Sequence, residues 1–352
     1  MQSHTTYDID KFYEREDLNV QALSRAAPFL VKLIHYLWWS FTIQNREVGI
    51  LADVLSLGGR RMKRPASLLI FVLAFTLSAS GALAQQLKVV ASISPVGDMV
   101  RELGGDRVVV RVLLPPGASP HVFEPTPGTA KDISQARLFF GIGAGLDFWA
   151  EKLVRASKKT IRIILLSEGM KFLHEEGDHG HGHEAANPHV WLDPLLAIEM
   201  VRKIEQTLEE TDPQGAHTYR VRSAQYITKL QALDAEIRNT VSTFSIKSFV
   251  SFHPAWDYFA LRYGLKSVGV IEESPGKEPS PQRLQAIVKA IRLYHIKAVF
   301  AEPQLNPKTA EVIAHEAGVR VIMLDPEGGL PGRETYLGLM KYNLARLKEA
   351  MQ

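Results

Sequence analysis

Short apolar, β-branched runs alternate with helix-like stretches in two separate parts of this sequence. The first series comprises Leu87–Ile93, Val108–Leu114, Arg137–Ile142 and Ile161–Leu166. The second series comprises Ser248–Phe252, Ser267–Ile271, Ala298–Ala301 and Arg320–Leu324. Such alternation predicts parallel strands, because parallel neighbours need a crossover connection and that connection is usually a helix. The expected fold class is therefore α/β, with two lobes that each contain a mostly parallel sheet flanked by helices.

A long helical pattern separates the two series. From Gln214 to about Phe244 apolar residues recur every three or four positions, and neither Gly nor Pro occurs after Gly215. This spacing places the apolar side chains on one face of a single helix. A continuous helix is stiffer than a Gly/Ser-rich linker. We therefore expect residues 214–244 to form one rigid helix that joins an N-terminal lobe, residues 85–213, to a C-terminal lobe, residues 245–352.

The segment before the first strand has the three parts of a secretory signal peptide. Basic residues follow Met62, the apolar run Leu68–Leu77 comes next, and Ala82-Leu83-Ala84 ends the segment. This order predicts export and cleavage after Ala84, so residues 62–84 are interpreted as the signal peptide. Because signal peptides lie at the start of a chain, residues 1–61 are interpreted as a misassigned N-terminal extension. The alternative is that Pro28–Phe41 is a genuine interfacial segment.

The amino-acid composition limits which side chains can bind a ligand or catalyse a reaction. The 352 residues include 41 Lys and Arg, 38 Asp and Glu, 12 His and no Cys. The near balance of charge gives no reason to expect a nucleic-acid partner. Without cysteine there are no disulfides, thiolate metal sites, cysteine nucleophiles or cysteine-linked lipids. The expected protein is a soluble periplasmic one, not a lipoprotein, and its chemistry depends on histidines and carboxylates.

Three histidines stand next to prolines near the ends of predicted strands or before a predicted helix. They are His121, His189 and His253, and a carboxylate, Asp325, ends the last predicted strand. In open α/β sheets, ligand-binding groups gather at the carboxyl ends of strands. Three imidazoles and one carboxylate suit Zn²⁺, which accepts tetrahedral nitrogen and oxygen coordination. The sequence thus predicts a metal site, although spacing of this kind is not diagnostic by itself.

A second group of histidines lies in a polar, glycine-rich stretch, residues 174–184. Its histidines are His174, His179, His181 and His183, interspersed with acidic residues. A segment without apolar residues cannot pack into a core. We interpret it as a mobile loop that binds divalent metal weakly, with an inert solvated loop as the alternative.

At these residues the sequence resembles the metal-specific substrate-binding proteins of bacterial ABC importers, the cluster that contains ZnuA- and TroA-like proteins. The matching motifs are Pro120–Pro125, Asn187–Pro194, Ser251–Trp256, Phe300–Gln304 and Leu324–Pro326. The resemblance implies a TroA-like two-lobed protein that clamps one metal ion between its lobes. It also implies delivery of that ion to an inner-membrane permease that is driven by a cytoplasmic ATPase.

The resemblance implies a site made of His121 and His189 from one lobe and His253 and Asp325 from the other. In this family the third position is commonly His in zinc binders and Glu in manganese binders, so His253 favours Zn²⁺ over Mn²⁺. Glu302 or Glu124 is an alternative carboxylate ligand or a partner that orients an imidazole. Water is a further candidate for the fourth position. We expect a monomer.

Two other functions remain as alternatives. A manganese- or iron-binding protein of the same family would use a similar site. A secreted zinc hydrolase could also use three histidines with an open fourth position. Catalysis would need a positioned base, and His183-Glu184 and His315-Glu316 both lack the second histidine of the H-E-x-x-H pattern. The sequence therefore favours a binding protein that is not an enzyme.

Overall fold

The structure is a computed structural model that describes residues 86–157, 159–173 and 186–352. The predicted N-terminal extension, the signal peptide and the histidine-rich segment 174–184 lie outside the described residues. All described residues belong to one compact unit. The domain boundaries expected at residues 213 and 244 remain predictions.

Eight strands and nine α-helices make up the described part of the chain. The strands are β1 (Leu87–Ala91), β2 (Val108–Val112), β3 (Leu138–Gly141), β4 (Arg162–Leu165), β5 (Ser248–Ser251), β6 (Lys266–Val270), β7 (Ala298–Ala301) and β8 (Arg320–Met323). The helices are α1 (Ser94–Gly104), α2 (Pro127–Gln135), α3 (Phe148–Ala156), α4 (Pro194–Thr211), α5 (Ala216–Ser242), α6 (Asp257–Tyr263), α7 (Pro281–Leu293), α8 (Lys308–Ala317) and α9 (Tyr336–Met351).

The strands form two parallel four-stranded sheets. Their orders are β2-β1-β3-β4 and β6-β5-β7-β8, so the two sheets share one topology. In both sheets every connection between neighbouring strands is a crossover, and helices occupy most of these connections. The predicted α/β class with two parallel sheets is confirmed.

The long helix α5 covers 27 residues, which corresponds to a length of about 40 Å. It begins two residues later than predicted because Pro213–Gly215 forms a separate 3₁₀ turn. Its buried face carries residues spaced by three or four positions, namely Tyr219, Ser223, Tyr226, Leu230, Leu233, Ile237 and Val241. This face packs on α1 and α4 from the first half and on α6 and α9 from the second. The helix is thus shared by both halves of the molecule.

The second sheet is buried on both faces because its strands alternate between two cores. Phe249, Ala298 and Phe300 point into a large core shared with the first sheet and α5. Their neighbours Val250 and Val299 point into a smaller core covered by α7 and α8. Strands buried on two sides explain why the sequence shows continuous apolar runs there. Across residues 86–157, 159–173 and 186–352, no helix is both long and apolar enough to cross a membrane.

Candidate metal centre

Three imidazole rings converge where the two sheets face each other. Nε2 of His189 lies 3.1 Å from Nε2 of His121 and 3.1 Å from Nε2 of His253. One ring nitrogen from each histidine lies within 4.8 Å of the other two. A tetrahedral zinc ion with bonds of 2.0–2.1 Å would separate its ligand atoms by about 3.3 Å. The spacing of the three nitrogens therefore fits a single cation.

The three histidines lie in loops or beside short turns. His121 lies in the loop between β2 and α2, His253 follows β5 after Phe252, and His189 precedes the 3₁₀ turn Val190–Leu192. His189 and His253 are buried, whereas His121 is partly exposed. The site is therefore accessible from the side of His121. His253 thus lies near a strand end, as expected, whereas His121 lies further along the loop that follows β2.

A buried carboxylate supports His253. Glu302 follows β7 directly, and its Oε2 lies 2.6 Å from Nδ1 of His253. The Glu302 side chain is 1% exposed. A carboxylate at this distance favours the proton on Nδ1 and leaves the lone pair of Nε2 directed at the other two rings.

An amide supports His189 in the same way. Oδ1 of Asn187 lies 2.8 Å from Nδ1 of His189 and accepts the backbone N–H of His189 at 3.1 Å. The amide nitrogen of Asn187 donates to the carbonyl of Pro254 at 2.7 Å and to Asp257 at 3.2 Å. Because the amide nitrogen is used elsewhere, the network assigns the proton of His189 to Nδ1. Nε2 of His189 is then free to bind a cation.

Burial keeps two of the imidazoles neutral. Desolvation, with a smaller electrostatic contribution from His253, lowers the pKa of His121 to about 3. Desolvation also holds the pKa of His189 well below its ordinary value of 6.5, with smaller contributions from His253 and His121. Neutral imidazoles are the form that binds metal. These two rings are therefore ready to bind a cation at neutral pH.

The carboxylate of Asp325 is not part of the three-histidine group. It is fully buried, and its Oδ1 accepts hydrogen bonds from Gln304 at 2.6 Å and from the backbone N–H groups of Glu327 and Gly328 at 3.0 Å each. Its Oδ2 lies 3.1 Å from Nη1 of Arg333. The structure thus brings together three of the four residues expected to form the site and pairs the fourth with an arginine.

The remaining carboxylates near the site differ in burial. Glu124 is exposed and lies outside the three-histidine group. Glu327 is buried, and desolvation together with the charges of Asp325, Glu302 and Asp147 raises its pKa well above the ordinary range.

Sequence reasoning did not single out Asn187, Gln304 or Arg333. Asn187 and Gln304 lie inside the motifs Asn-Pro-His and Glu-Pro-Gln. Each is therefore two positions from a candidate ligand, and this closeness could have marked both as residues of the site. Arg333 lies in a turn eight residues after Asp325, and no pattern in the sequence links the two.

The family model described as "Zinc-uptake complex component A periplasmic" matches residues 89–350 of this chain. This match spans both sheets and all three histidines. The chain belongs to this zinc-uptake family.

Curated relatives and solved structures are similar to most of the chain. The zinc-binding lipoprotein AdcA of Streptococcus pneumoniae is 34% identical over 278 residues, which cover 75% of this chain and 56% of AdcA. The chain therefore spans about half the length of the first such relatives. The high-affinity zinc uptake system protein ZnuA of Bacillus subtilis is 33% identical over 284 residues and is matched over 88% of its length, with 76% of this chain covered.

A crystal structure of ZnuA aligns with a TM-score of 0.69 and 28% identity, over 76% of this chain and 100% of that one. A second similar structure is that of the laminin-binding protein Lmb of Streptococcus agalactiae, which is described as having adhesin and metal-transporting activity. It aligns with a TM-score of 0.67 and 32% identity, over 76% of this chain and 100% of Lmb. The predicted ZnuA/TroA-like fold is therefore confirmed.

Proposed function

We propose that this protein captures Zn²⁺ outside the cytoplasm and delivers it to an ABC-type zinc importer. The observation that carries the proposal is the convergence of three Nε2 atoms, with 3.1 Å between neighbours, in a partly open site. Membership of the zinc-uptake family supports the same conclusion. The relatives AdcA and ZnuA are named as zinc-binding and zinc-uptake proteins.

In this proposal His121, His189 and His253 bind the ion, and Glu302 and Asn187 orient two of the rings. The fourth position is filled by Asp325 or by water. A site of this type binds without turnover, because the ion itself is the cargo. Since His121 and His189 are held neutral by burial, binding at neutral pH releases few protons from these two rings.

A zinc-capturing role in an ABC-type importer also implies which partners the protein has. The loaded protein would dock on an inner-membrane permease whose cytoplasmic ATPase drives import, and no nucleic acid takes part. The predicted signal peptide, residues 62–84, supports a periplasmic location, and we propose that the protein acts as a monomer. The histidine-rich segment 174–184 would raise the local zinc concentration without forming part of the tight site.

Nitrogen-rich coordination favours zinc over manganese. Imidazole suits Zn²⁺, whereas oxygen ligands suit Mn²⁺. The group in this structure consists of imidazoles alone. A manganese- or iron-binding role, and the less favoured role of a secreted zinc hydrolase, remain as outcomes of the test.

The test is elemental analysis of the mature protein purified without added metal, followed by competition between Zn²⁺ and Mn²⁺ for the metal-free protein. We expect one zinc ion per chain and strong preference for zinc. His189→Ala should abolish tight binding, and His315→Ala, a change at an exposed histidine on α8, should not. Preference for manganese, or one tight zinc site that survives His189→Ala, would contradict the proposal.

A further inference from the structure

We propose that Arg333 competes with the cargo for the carboxylate of Asp325 and thereby makes the site discriminate against Mn²⁺. This inference rests on the proposed function. It begins with the observation that the carboxylate expected as the fourth ligand is paired with a cation that belongs to the protein itself.

The two oxygens of Asp325 have different surroundings. Oδ1 accepts three hydrogen bonds, from the Gln304 amide and from two backbone N–H groups. Oδ2 has no hydrogen-bond partner among the described residues and only the ion pair with Arg333 at 3.1 Å. A cation that recruits Asp325 would therefore bind Oδ2 and displace Arg333.

The backbone of Asp325 is fixed independently of either cation. Its N–H donates to Oδ1 of Asn343 at 2.8 Å, and its carbonyl accepts from Nδ2 of Asn343 at 2.7 Å. Asn343 is itself fully buried on α9. The backbone of Asp325 therefore stays in place, and only its side chain can turn towards one cation or the other.

Arg333 is held in place from two sides. Its backbone closes a turn, since its N–H donates to the carbonyl of Leu330 at 2.9 Å and its carbonyl accepts from Gly329 at 2.8 Å. Its guanidinium lies 4.4 Å from the centre of the Tyr342 ring. Only 16% of the side chain is exposed. An arginine that is ordered in advance loses little entropy on pairing, so its bond to a buried carboxylate is costly to break.

The cost of displacing Arg333 affects the two metals unequally. Three imidazoles already satisfy most of the coordination that Zn²⁺ requires, and water can complete it. Mn²⁺ binds imidazole more weakly and depends more on carboxylate oxygen. By keeping Asp325 occupied, Arg333 withholds the ligand that manganese needs most.

The experiment measures the association constants of Zn²⁺ and Mn²⁺ separately, by competition with a chromophoric chelator, for four proteins: wild type, Arg333→Gln, Asp325→Asn and the double variant. Arg333→Gln should raise manganese affinity by about tenfold or more, a size typical of changes around a metal site. Zinc affinity should rise less, so the zinc-to-manganese ratio should fall. In the Asp325→Asn background, Arg333→Gln should leave that ratio unchanged.

Arg346→Gln is the matched control. The guanidinium of Arg346 also lies over the ring of Tyr342, 5.8 Å from its centre, but it pairs with Glu349 and not with Asp325. This variant removes one positive charge nearby without freeing Asp325. It should leave the zinc-to-manganese ratio at the wild-type value.

The outcomes separate this inference from the proposed function. An unchanged ratio in Arg333→Gln, or an equal change in the Asp325→Asn background, would overturn the role of Arg333 while wild-type zinc binding stands. Absence of zinc binding in the wild type would overturn the proposed function instead. If Arg333→Gln does not fold, as judged by circular dichroism, Arg333→Lys replaces it. Lysine pairs with Oδ2 less well, so manganese affinity should still rise, and no rise would overturn the inference.

Discussion

Oε2 of Glu302 lies 2.6 Å from Nδ1 of His253, and both side chains are buried. Glu302 thus fixes the tautomer of a residue that we propose as a zinc ligand. Groups that orient ligating histidines typically contribute 10–100-fold to metal affinity. We expect Glu302→Gln, which keeps the shape but removes the charge, to weaken zinc binding by about tenfold.

Chelator competition checks this expectation. Glu311→Gln is the control, because Glu311 is an exposed residue of α8. If Glu302→Gln bound zinc as tightly as the wild type and the control, the carboxylate would have no orienting role.

Protonation of His121 and His189 should add little to the pH dependence of zinc affinity between pH 8 and about 6. Burial lowers the pKa of His121 to about 3 and holds that of His189 well below 6.5. Protons therefore compete poorly with zinc for these two rings in this range. Unperturbed imidazoles, with pKa values of about 6.5, would lose affinity steadily below pH 7. Chelator competition at several pH values checks the prediction, and uptake of more than one proton per released zinc ion between pH 8 and 6 would contradict it.

The same pKa shifts should make the stability of the metal-free protein depend strongly on pH. In the unfolded chain both histidines take up protons near pH 6.5, whereas in the folded chain they resist until much lower pH. Their contribution to the free energy of unfolding is thus complete above pH 6.5 and is lost as the pH falls towards 3. Replacing His121 by Asn should reduce this slope in urea titrations between pH 4 and 7. An unaltered slope would show that the imidazole of His121 does not set it.

Zinc should stabilise the folded protein through the three-histidine group. A ligand at 100 times its dissociation constant raises the free energy of unfolding by about 2.7 kcal/mol when it binds the folded state alone. We expect urea unfolding of the wild type to show a gain of this order with zinc. His253→Ala should lose most of the gain, and His217→Ala, at an exposed position of α5, should retain it. Equal gains in both variants would place the stabilising ion elsewhere.

The regular elements were predictable because their patterns are local. The run Ala298–Ala301 coincides with β7, since its apolar content and the polar residues that flank it mark both ends. The boundaries are less exact where polar residues flank the run. The strand expected at Ser267–Ile271 is β6, which begins at Lys266 and ends at Val270.

The candidate site was predictable only in part. The meeting of His121, His189 and His253 was implied by the family resemblance of the motifs that contain them, and the spacing of the residues would not have shown it. The pairing of Asp325 with Arg333 depends on a turn closed by its own backbone hydrogen bonds and on the packing of Arg333 against Tyr342 of α9. Such packing leaves no periodic trace in the sequence. For the same reason the sequence did not reveal that Asn187 reaches Pro254, 67 positions away.

A hydrogen bond between the two halves of the chain should measurably stabilise the fold. Nε1 of Trp191, two residues after His189, donates to the carbonyl of Pro326 at 2.8 Å. Both residues are buried, so Trp191→Phe leaves that carbonyl without its donor. An unsatisfied buried polar group costs about 1–3 kcal/mol in addition to the effect of the smaller ring.

Trp256→Phe is the matched control for this prediction. Trp256 is as deeply buried as Trp191, but its Nε1 donates to no acceptor among the described residues. Both variants lose the same ring volume, and only Trp191→Phe breaks a hydrogen bond. We therefore expect Trp191→Phe to lower the free energy of unfolding by about 1–3 kcal/mol more than Trp256→Phe in urea denaturation of the metal-free protein. Equal losses would mean that the bond from Trp191 to Pro326 adds nothing to stability beyond the packing of the ring.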